Sequence, residues 1–530
     1  MNLLPRRLFP RFLALLALMG VAAGLAACDN VSVDPKGQAA AENIFREDGA
    51  YLSYLAKLYG GLNVTGQQGP AGNSDVGGLD EGFSQYVRLW WQMQELPTDE
   101  AVIAYNDGSV QELNTTTWGP TNGFSSTMYS RIFFQVAQAN EFLRQSTDDL
   151  LQERDVPTNV QAKMPQWRAE ARFLRAISYW HGIDLFGSIP LVDQSFPRGS
   201  QAPEQATRQE LFNFVESELL AITDEEGEEE LPAPRQAEYG RADKAAAYML
   251  LAKLYQNAPV YVGEDRSADV VEYTQRVIDA GYSLEPDYQH LFRADNQTAD
   301  GIIFAIPHDG ANTQHYGGTQ FLTHASVGGA MEPANYGIDT GYFGLRTTPT
   351  AYNRFQTDDA RGIFFTEGQS LEIADLLDFT DGYAAPKWQN VTSSGEPGSN
   401  LTFPDTDYPM FRLGEAYLMY AEAVLRGGGG SEEQALEYVN NLRARAGTDD
   451  ISQSDLTLDF LLAERGRELF WEANRRMDLI RFGEFTGGEY LWAWKGNTQP
   501  GQSIDDFRKL YPLPASELQA NTNLEQNPGY

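Results

Sequence analysis

Apolar positions repeat at helical spacing in four separate stretches, with long irregular segments between them. The clearest stretch runs from Trp167 to Leu185. There Trp167, Ala171, Leu174, Ser178, His181 and Leu185 recur at steps of four and three residues, which marks one face of an α-helix. Phe173, Ile177 and Trp180 add a second apolar stripe, so the pattern predicts a helix covered on more than one side. A second helix is predicted from Arg241 to about Gln256 and a third from Leu413 to Arg426. Ala247, Tyr248 and Ala252 of one align with Ala416, Tyr417 and Ala421 of the other. Gly427 to Gly430 then stops the chain before a fourth helix, Glu432 to Ala446. Helix, short turn, helix with small residues at the crossings is the unit of tetratricopeptide-like arrays. The period is irregular, so the expectation is an all-α protein with a few such pairs and not a regular solenoid.

Two regions carry no helical period: Gly60 to about Phe124, and about Ala294 to Asn400. Both are rich in glycine, polar residues and aromatics. Loops of that length are functional or hide strands. Thr223 to Glu230 is a charge run that reads as a solvated loop.

The amino terminus has a different pattern. Arg6, Arg7 and Arg11 precede an apolar run, Phe12 to Ala27, which ends in Leu25-Ala26-Ala27-Cys28. This is the layout of a secretory signal, too short for a membrane span. It resembles a bacterial lipobox, with cleavage before Cys28 and lipidation of its thiol. The only cysteine of the chain stands at the position that chemistry needs. Residues 1–27 are therefore expected to be removed, and residues 28–40 to form a lipidated, flexible stalk. Residues 41–530 would form the folded part.

Composition narrows the function. The chain has 530 residues and a net charge of −35. One cysteine excludes a disulfide scaffold and a thiolate zinc site. The acidity argues against nucleic acid, whose binding needs clustered cations. Of the 39 basic residues, Arg far outnumbers Lys. Many carboxylates with few lysines suit a surface hydrated in concentrated salt; an ordinary acidic extracellular protein fits the same counts.

Several blocks resemble one family together. Arg168–Val192 (RAEARFLRAISYWHGIDLFGSIPLV), Phe411–Gly447, Glu464–Gly483 (ERGRELFWEANRRMDLIRFG) and Leu510–Tyr530 (LYPLPASELQANTNLEQNPGY) resemble stretches of the SusD/RagB family, and Gln94–Ala101 (QELPTDEA) is similar to another. These are outer-membrane nutrient-binding lipoproteins of the starch-utilisation type. The resemblance implies four tetratricopeptide-like helix pairs in a right-handed scaffold, with long loops packed on one side. It implies an amino-terminal part at about 41–230 and a carboxy-terminal part at about 290–530. It implies a surface lipoprotein of a Bacteroidetes-type outer membrane that captures a glycan or other nutrient oligomer for a SusC-like TonB-dependent β-barrel, without catalysis; the residues assign no cofactor and no metal ligand, and leave a structural calcium open. Its hallmark blocks are mainly structural, so they assign no ligand residues.

Sugar recognition needs flat aromatic faces and directional polar groups. The first irregular region offers Trp90, Trp91, Tyr105, Asn106, Asp107 and Trp118. The second offers Asn312, Tyr316, Tyr336, Tyr342, Arg346 and Trp388. Trp90 and Trp91 are adjacent and point apart, so one is expected to be buried. The charged block Glu464 to Arg481 has spacings of three and four, which read as helix-face ion pairs and not as an active site. His308, His315 and His324 share a glycine-rich stretch, but their spacings of seven and nine match no helical metal pair. His181 lies on the apolar seam as a core residue. Asp75, Asp80 and Glu81 are acidic but lack an EF-hand pattern. The rivals to a capture protein are a surface glycoside hydrolase, with two carboxylates about 5–9 Å apart, and a helical-repeat scaffold lipoprotein.

Overall fold

The computed structural model describes residues 44–47, 49–197, 199 and 202–530. The signal, Cys28 and stalk lie outside the described residues. No helix among the described residues is long and apolar enough to cross a membrane.

The predicted helices are present. Twelve helices matter here: α1 Ala50–Asn63, α2 Tyr86–Glu95, α3 Gly123–Gln145, α4 Met164–Phe186, α5 Arg208–Thr223, α6 Lys244–Gln256, α7 Ser267–Ile278, α8 Gly318–Ala325, α9 Leu413–Leu425, α10 Glu432–Arg445, α11 Leu458–Glu468 and α12 Arg475–Phe482. The doubly striped α4 is buried at every position from Phe173 to Phe186. It packs between α3 and α5. From there α5 packs on α6, α6 on α7, α7 on α9 and α9 on α10. This is a stacked array in which each helix is covered by its neighbours. All thirteen residues of α6 are buried, and alanines at its crossings give the close approach. It starts three residues later than its pattern suggested, because Asp243 accepts a hydrogen bond from the Ala246 N–H and caps it. Thr207 and Glu210 form a capping box on α5, and Asn122 caps α3.

The region 60–124 is less irregular than its pattern suggested. It contains α2 and a further helix, Gly108–Asn114. All ten residues of α2 are buried, although Arg88, Gln92 and Glu95 keep the spacing of a helical polar face; the helix is short and follows a glycine-rich stretch that masks it. Each irregular region also holds strands. β1 (Ala101–Ile103) pairs antiparallel with β3 (Leu345–Thr347), and β2 (Ile302–Ile306) with β4 (Tyr408–Arg412). In the first pair Val102 faces Arg346 across the ladder. That pair joins the two irregular regions to one another.

The charged block is structural, but its pairing is mostly long-range. Only Glu464–Arg467 and Asp478–Arg481 are helix-face pairs within it. Glu468 meets Arg412 at 2.6 Å, Arg445 at 2.5 Å and Arg361 at 3.2 Å. Glu464 meets Arg361 and Arg443, and Glu472 meets Lys387 and Arg412. Arg475 holds Asp99 at 2.7 Å, which ties α12 to the Gln94–Ala101 segment. All these groups are buried. Burial alone would raise the Glu468 carboxyl, but Arg445, Arg412 and Arg361 hold it far below the usual carboxylate range.

Candidate functional site

The β1–β3 ladder positions the site. It continues one step past Ile103, where the Ala104 N–H donates to the Gly344 carbonyl at 2.9 Å. Tyr105 follows, and its ring lies over Gly344. A Cβ at Gly344 would meet that ring at 2.8–2.9 Å, so only glycine permits the contact. Tyr342 stands just before on the opposing chain. Its ring stacks on His324 with centroids 4.7 Å apart. Its hydroxyl accepts from Gln320 Nε2 at 2.7 Å, which leaves its own O–H to donate.

Tyr316 arrives from a third direction. Its carbonyl accepts from Arg88 Nη1 at 3.0 Å and its N–H donates to Glu81 at 3.3 Å. Its loop presses on residues 82–85: a Cβ at Gly82 would lie 2.4 Å from the Tyr316 carbonyl oxygen, and one at Gly317 would lie 2.3 Å from Gln85 Cβ. The Tyr316 ring packs on Phe403 and is 37% exposed. Arg88 lies against the rings of Phe83 and Phe321, at 3.9 and 4.0 Å. Burial lowers its guanidinium to about 10, opposed by the charge of Tyr105, Tyr342 and Glu81 nearby. Burial also raises the Tyr342 hydroxyl, which lies in the fields of Asp339, Tyr316 and Arg88. Tyr105, Tyr316 and Tyr342 thus share one neighbourhood around Arg88. Among the described residues, the hydroxyls of Tyr105 and Tyr316 and the side chain of Asn106 make no hydrogen bond.

The other expected residues lie elsewhere. Trp90 and Trp91 are both buried, against the expectation of one; Trp90 stacks on His181 at 3.8 Å and Trp91 donates to the Trp471 carbonyl. Trp118 donates to the Tyr530 hydroxyl, and Trp388 stacks on Tyr408. Arg346 donates to the carbonyls of Asp381, Gly344 and Leu376. Trp91, Trp118, Trp388 and Arg346 are at most 1% exposed and have no face to offer a ligand; a large aromatic supplies core area before it supplies a platform. Tyr336 is half-buried against Val327, Met331 and Ile338. Asp107 caps the helix Gly108–Asn114. Asn312 is exposed and donates to Asp309 at 2.7 Å.

Phe343 escaped the sequence reading. It is 52% exposed and has φ of +51°, an uncommon backbone state for a bulky residue. Its ring stands edge-on to Phe379. The signal available was its setting, Gly341-Tyr342-Phe343-Gly344, two aromatics between glycines.

Beneath the Tyr316 loop is a buried polar anchor. His315 Nε2 lies 2.9 Å from Asn63 Oδ1, and Asn63 also donates to the Pro307 carbonyl. The His308 N–H donates to Asp407 at 2.6 Å, and the Tyr239 hydroxyl donates to the same carboxylate at 2.7 Å. Burial lowers His308 to about 4 and raises Asp407 to about 6. His181 is buried, with Nδ1 2.8 Å from the Tyr86 hydroxyl. Glu81 accepts from Thr65 and Tyr316. Among the described residues, no three His, Cys, Asp or Glu side chains are grouped so as to hold a metal ion.

The Asp407 anchor makes a pH prediction. Its folded pKa is above the unfolded value of 3.8, so folding favours the protonated form. Its contribution is fully present below about pH 4 and is lost as pH rises through about 6. Two pH units correspond to as much as about 3 kcal/mol. Asp407→Asn removes this titration. Urea unfolding at pH 4.5 and 8 should show the variant gaining stability relative to the parent at the higher pH; an equal difference at both would contradict the assignment.

Comparison with known proteins places the chain among relatives. The model of the SusD family matches residues 378–530. The chain is 34% identical to the starch-binding protein SusD of Bacteroides thetaiotaomicron, covering 99% of each chain. It is 26% identical to SusD-like protein P2 of Formosa agariphila, covering 96% of this chain and 97% of the other. Among solved structures, surface glycan-binding protein A from Bacteroides thetaiotaomicron in complex with laminarihexaose superposes with a TM-score of 0.69 at 22% identity, covering 91% of this chain and 99% of that one.

Proposed function

Because the chain belongs to the SusD family, we propose that it captures an oligosaccharide at the Tyr105–Tyr316–Tyr342 cluster and passes it to a SusC-like TonB-dependent β-barrel. Asn106 and Phe343 extend the cluster. Cys28 carries the lipid anchor that holds the protein at the outer-membrane surface. One observation carries the reading. Tyr105, Tyr316 and Tyr342 lie in one neighbourhood around Arg88, and each keeps a hydroxyl proton free to donate. Stacking faces with unused donors suit a sugar ring, whose faces are apolar and whose rim is hydroxyl. One relative is named for starch and one fold neighbour holds laminarihexaose, so neutral glucans are the first candidates. The carboxylates that border the rings are occupied in loop structure: Asp107 caps a helix, Asp309 accepts from Asn312, and Asp339 accepts from Thr402. Hydrogen bonds from Asn312 and the backbone lower Asp309, the opposite of what a glycosidase acid needs.

The test is affinity electrophoresis of the full-length protein in detergent through gels containing starch or laminarin, with product analysis. Retardation without release of reducing ends is the expected result. Release of reducing ends would replace capture by hydrolysis. Solubilised from native membrane, the protein should copurify with a large β-barrel in roughly equal amount, and repeated recovery alone would count against hand-over.

A further inference from the structure

The loop from Asp309 to Tyr316 has two sides. Tyr316 faces the tyrosine cluster. The residues before it overhang α1, because His315 and the neighbouring Pro307 are both fastened to Asn63, the last residue of that helix. Between the overhang and α1 lies a cleft of about 640 Å³, in the size range of small-ligand sites. Its walls include Ala56, Lys57 and Gly60 on α1, Gln67 on the following turn, and Asn312 and Gln314 on the overhang. This wall is small side chains and neutral amides. Asn312 and Gln314 each use an amide N–H inside the loop, to Asp309 and to the Gly310 carbonyl. Their carbonyl oxygens remain as acceptors. The Gln67 side chain makes no hydrogen bond among the described residues.

We propose that this cleft is a second glycan subsite, which receives the continuation of a neutral polysaccharide chain bound at the tyrosines; the proposal rests on the capture reading above. Asn312 and Tyr316 are four positions apart, which puts them at most about 14 Å from one another along the loop. A chain of several sugar units reaches both, and one or two units do not cover the full span. Amide carbonyls and a free amide match hydroxyls, which both donate and accept. Lys57 is the only cation among the lining residues, and the net charge of −35 opposes a polyanion. Two linked contacts raise affinity with chain length until the span is covered, then no further. The protein would thereby prefer polymer fragments over free small sugars.

The test is calorimetry on the full chain in detergent with maltooligosaccharides and laminarioligosaccharides, short (two units) and long (about ten units). In the series that binds, the long chain should bind about tenfold tighter or more. Gln67→Ala combined with Asn312→Ala should bring the two lengths together while short-chain affinity holds. Both residues are exposed, so folding is not at stake. Ala56→Trp, also at an exposed position, should do the same by filling the cleft. Equal binding of both lengths by the parent, or a length preference that survives both variants, overturns the subsite. Failure of both series at every length overturns the capture of neutral glucans, and the subsite with it.

Discussion

Glu468→Gln should lower the unfolding free energy by about 3–5 kcal/mol, the cost of removing one partner from a buried ion network. Native proteins have only about 5–15 kcal/mol in total, so this single neutral, nearly isosteric change should take a large part of it. The reason is geometric. Three arginines, Arg361, Arg412 and Arg445, converge on this one carboxylate, and all are buried. The substitution would leave them facing a neutral amide. The exposed pair Arg276–Glu272 supplies the contrast, since Arg276→Ala should cost under about 1 kcal/mol. Urea unfolding followed by tryptophan fluorescence measures both. A loss for Glu468→Gln no larger than that of the surface pair would show that the network contributes nothing net. Acid should act in the same direction. Burial works to raise Asp478, but Arg465 and Arg481 hold it at about 2, and Glu464 and Glu422 are also held low against burial by arginines. Carboxylates with depressed folded values add stability above about pH 4 and lose it as pH falls toward 2. Acid unfolding is therefore expected to begin in that window.

Tyr342→Ala should weaken binding of the captured glycan about thirtyfold, and Tyr342→Phe about fivefold. The first change removes a stacking face at the centre of the site, an effect of about 2 kcal/mol. The second keeps the face and removes the O–H donor together with the bond the hydroxyl accepts from Gln320, about 1 kcal/mol. The gap between the two variants separates stacking from hydrogen bonding. Tyr417 stacks on Tyr438, with rings 4.4 Å apart, between α9 and α10. Tyr417→Ala should leave affinity unchanged. If Tyr342→Ala binds like the parent, the tyrosine cluster is not the capture site.

The scaffold was legible in the sequence where helices show one or two apolar stripes, as in α4, α6, α9 and α10. It was not legible in α2, whose ten residues are few and stand beside a glycine-rich stretch, nor in β1 and β3, whose three residues each are too few to show a period. The charged block announced pairing but not its partners, because Arg361, Lys387, Arg412 and Asp99 come from other elements. Within the site, the aromatic-rich loops were visible but the choice among their aromatics was not. The tryptophans and Arg346 are the larger groups and fill the core. The tyrosines, with a polar end to satisfy, stay half-buried at Tyr105, Tyr336 and Tyr342 and exposed at Tyr316. Phe343 was hidden because a lone apolar residue in a loop carries no period; only its flanking glycines mark it.

The splice between β1 and β3 also sets when the site can exist. The bond from the Thr347 hydroxyl to the Glu100 carbonyl closes a separation of 247 positions. Contacts so distant along the chain are made late, after the entropy of closing the intervening loop has been overcome. Local helix pairs such as α9 and α10 need no such closure. A folding chain would thus possess much of its scaffold before Tyr105 and Tyr342 come together. Ligand binding would then report complete folding, and a partly folded chain would hold no sugar.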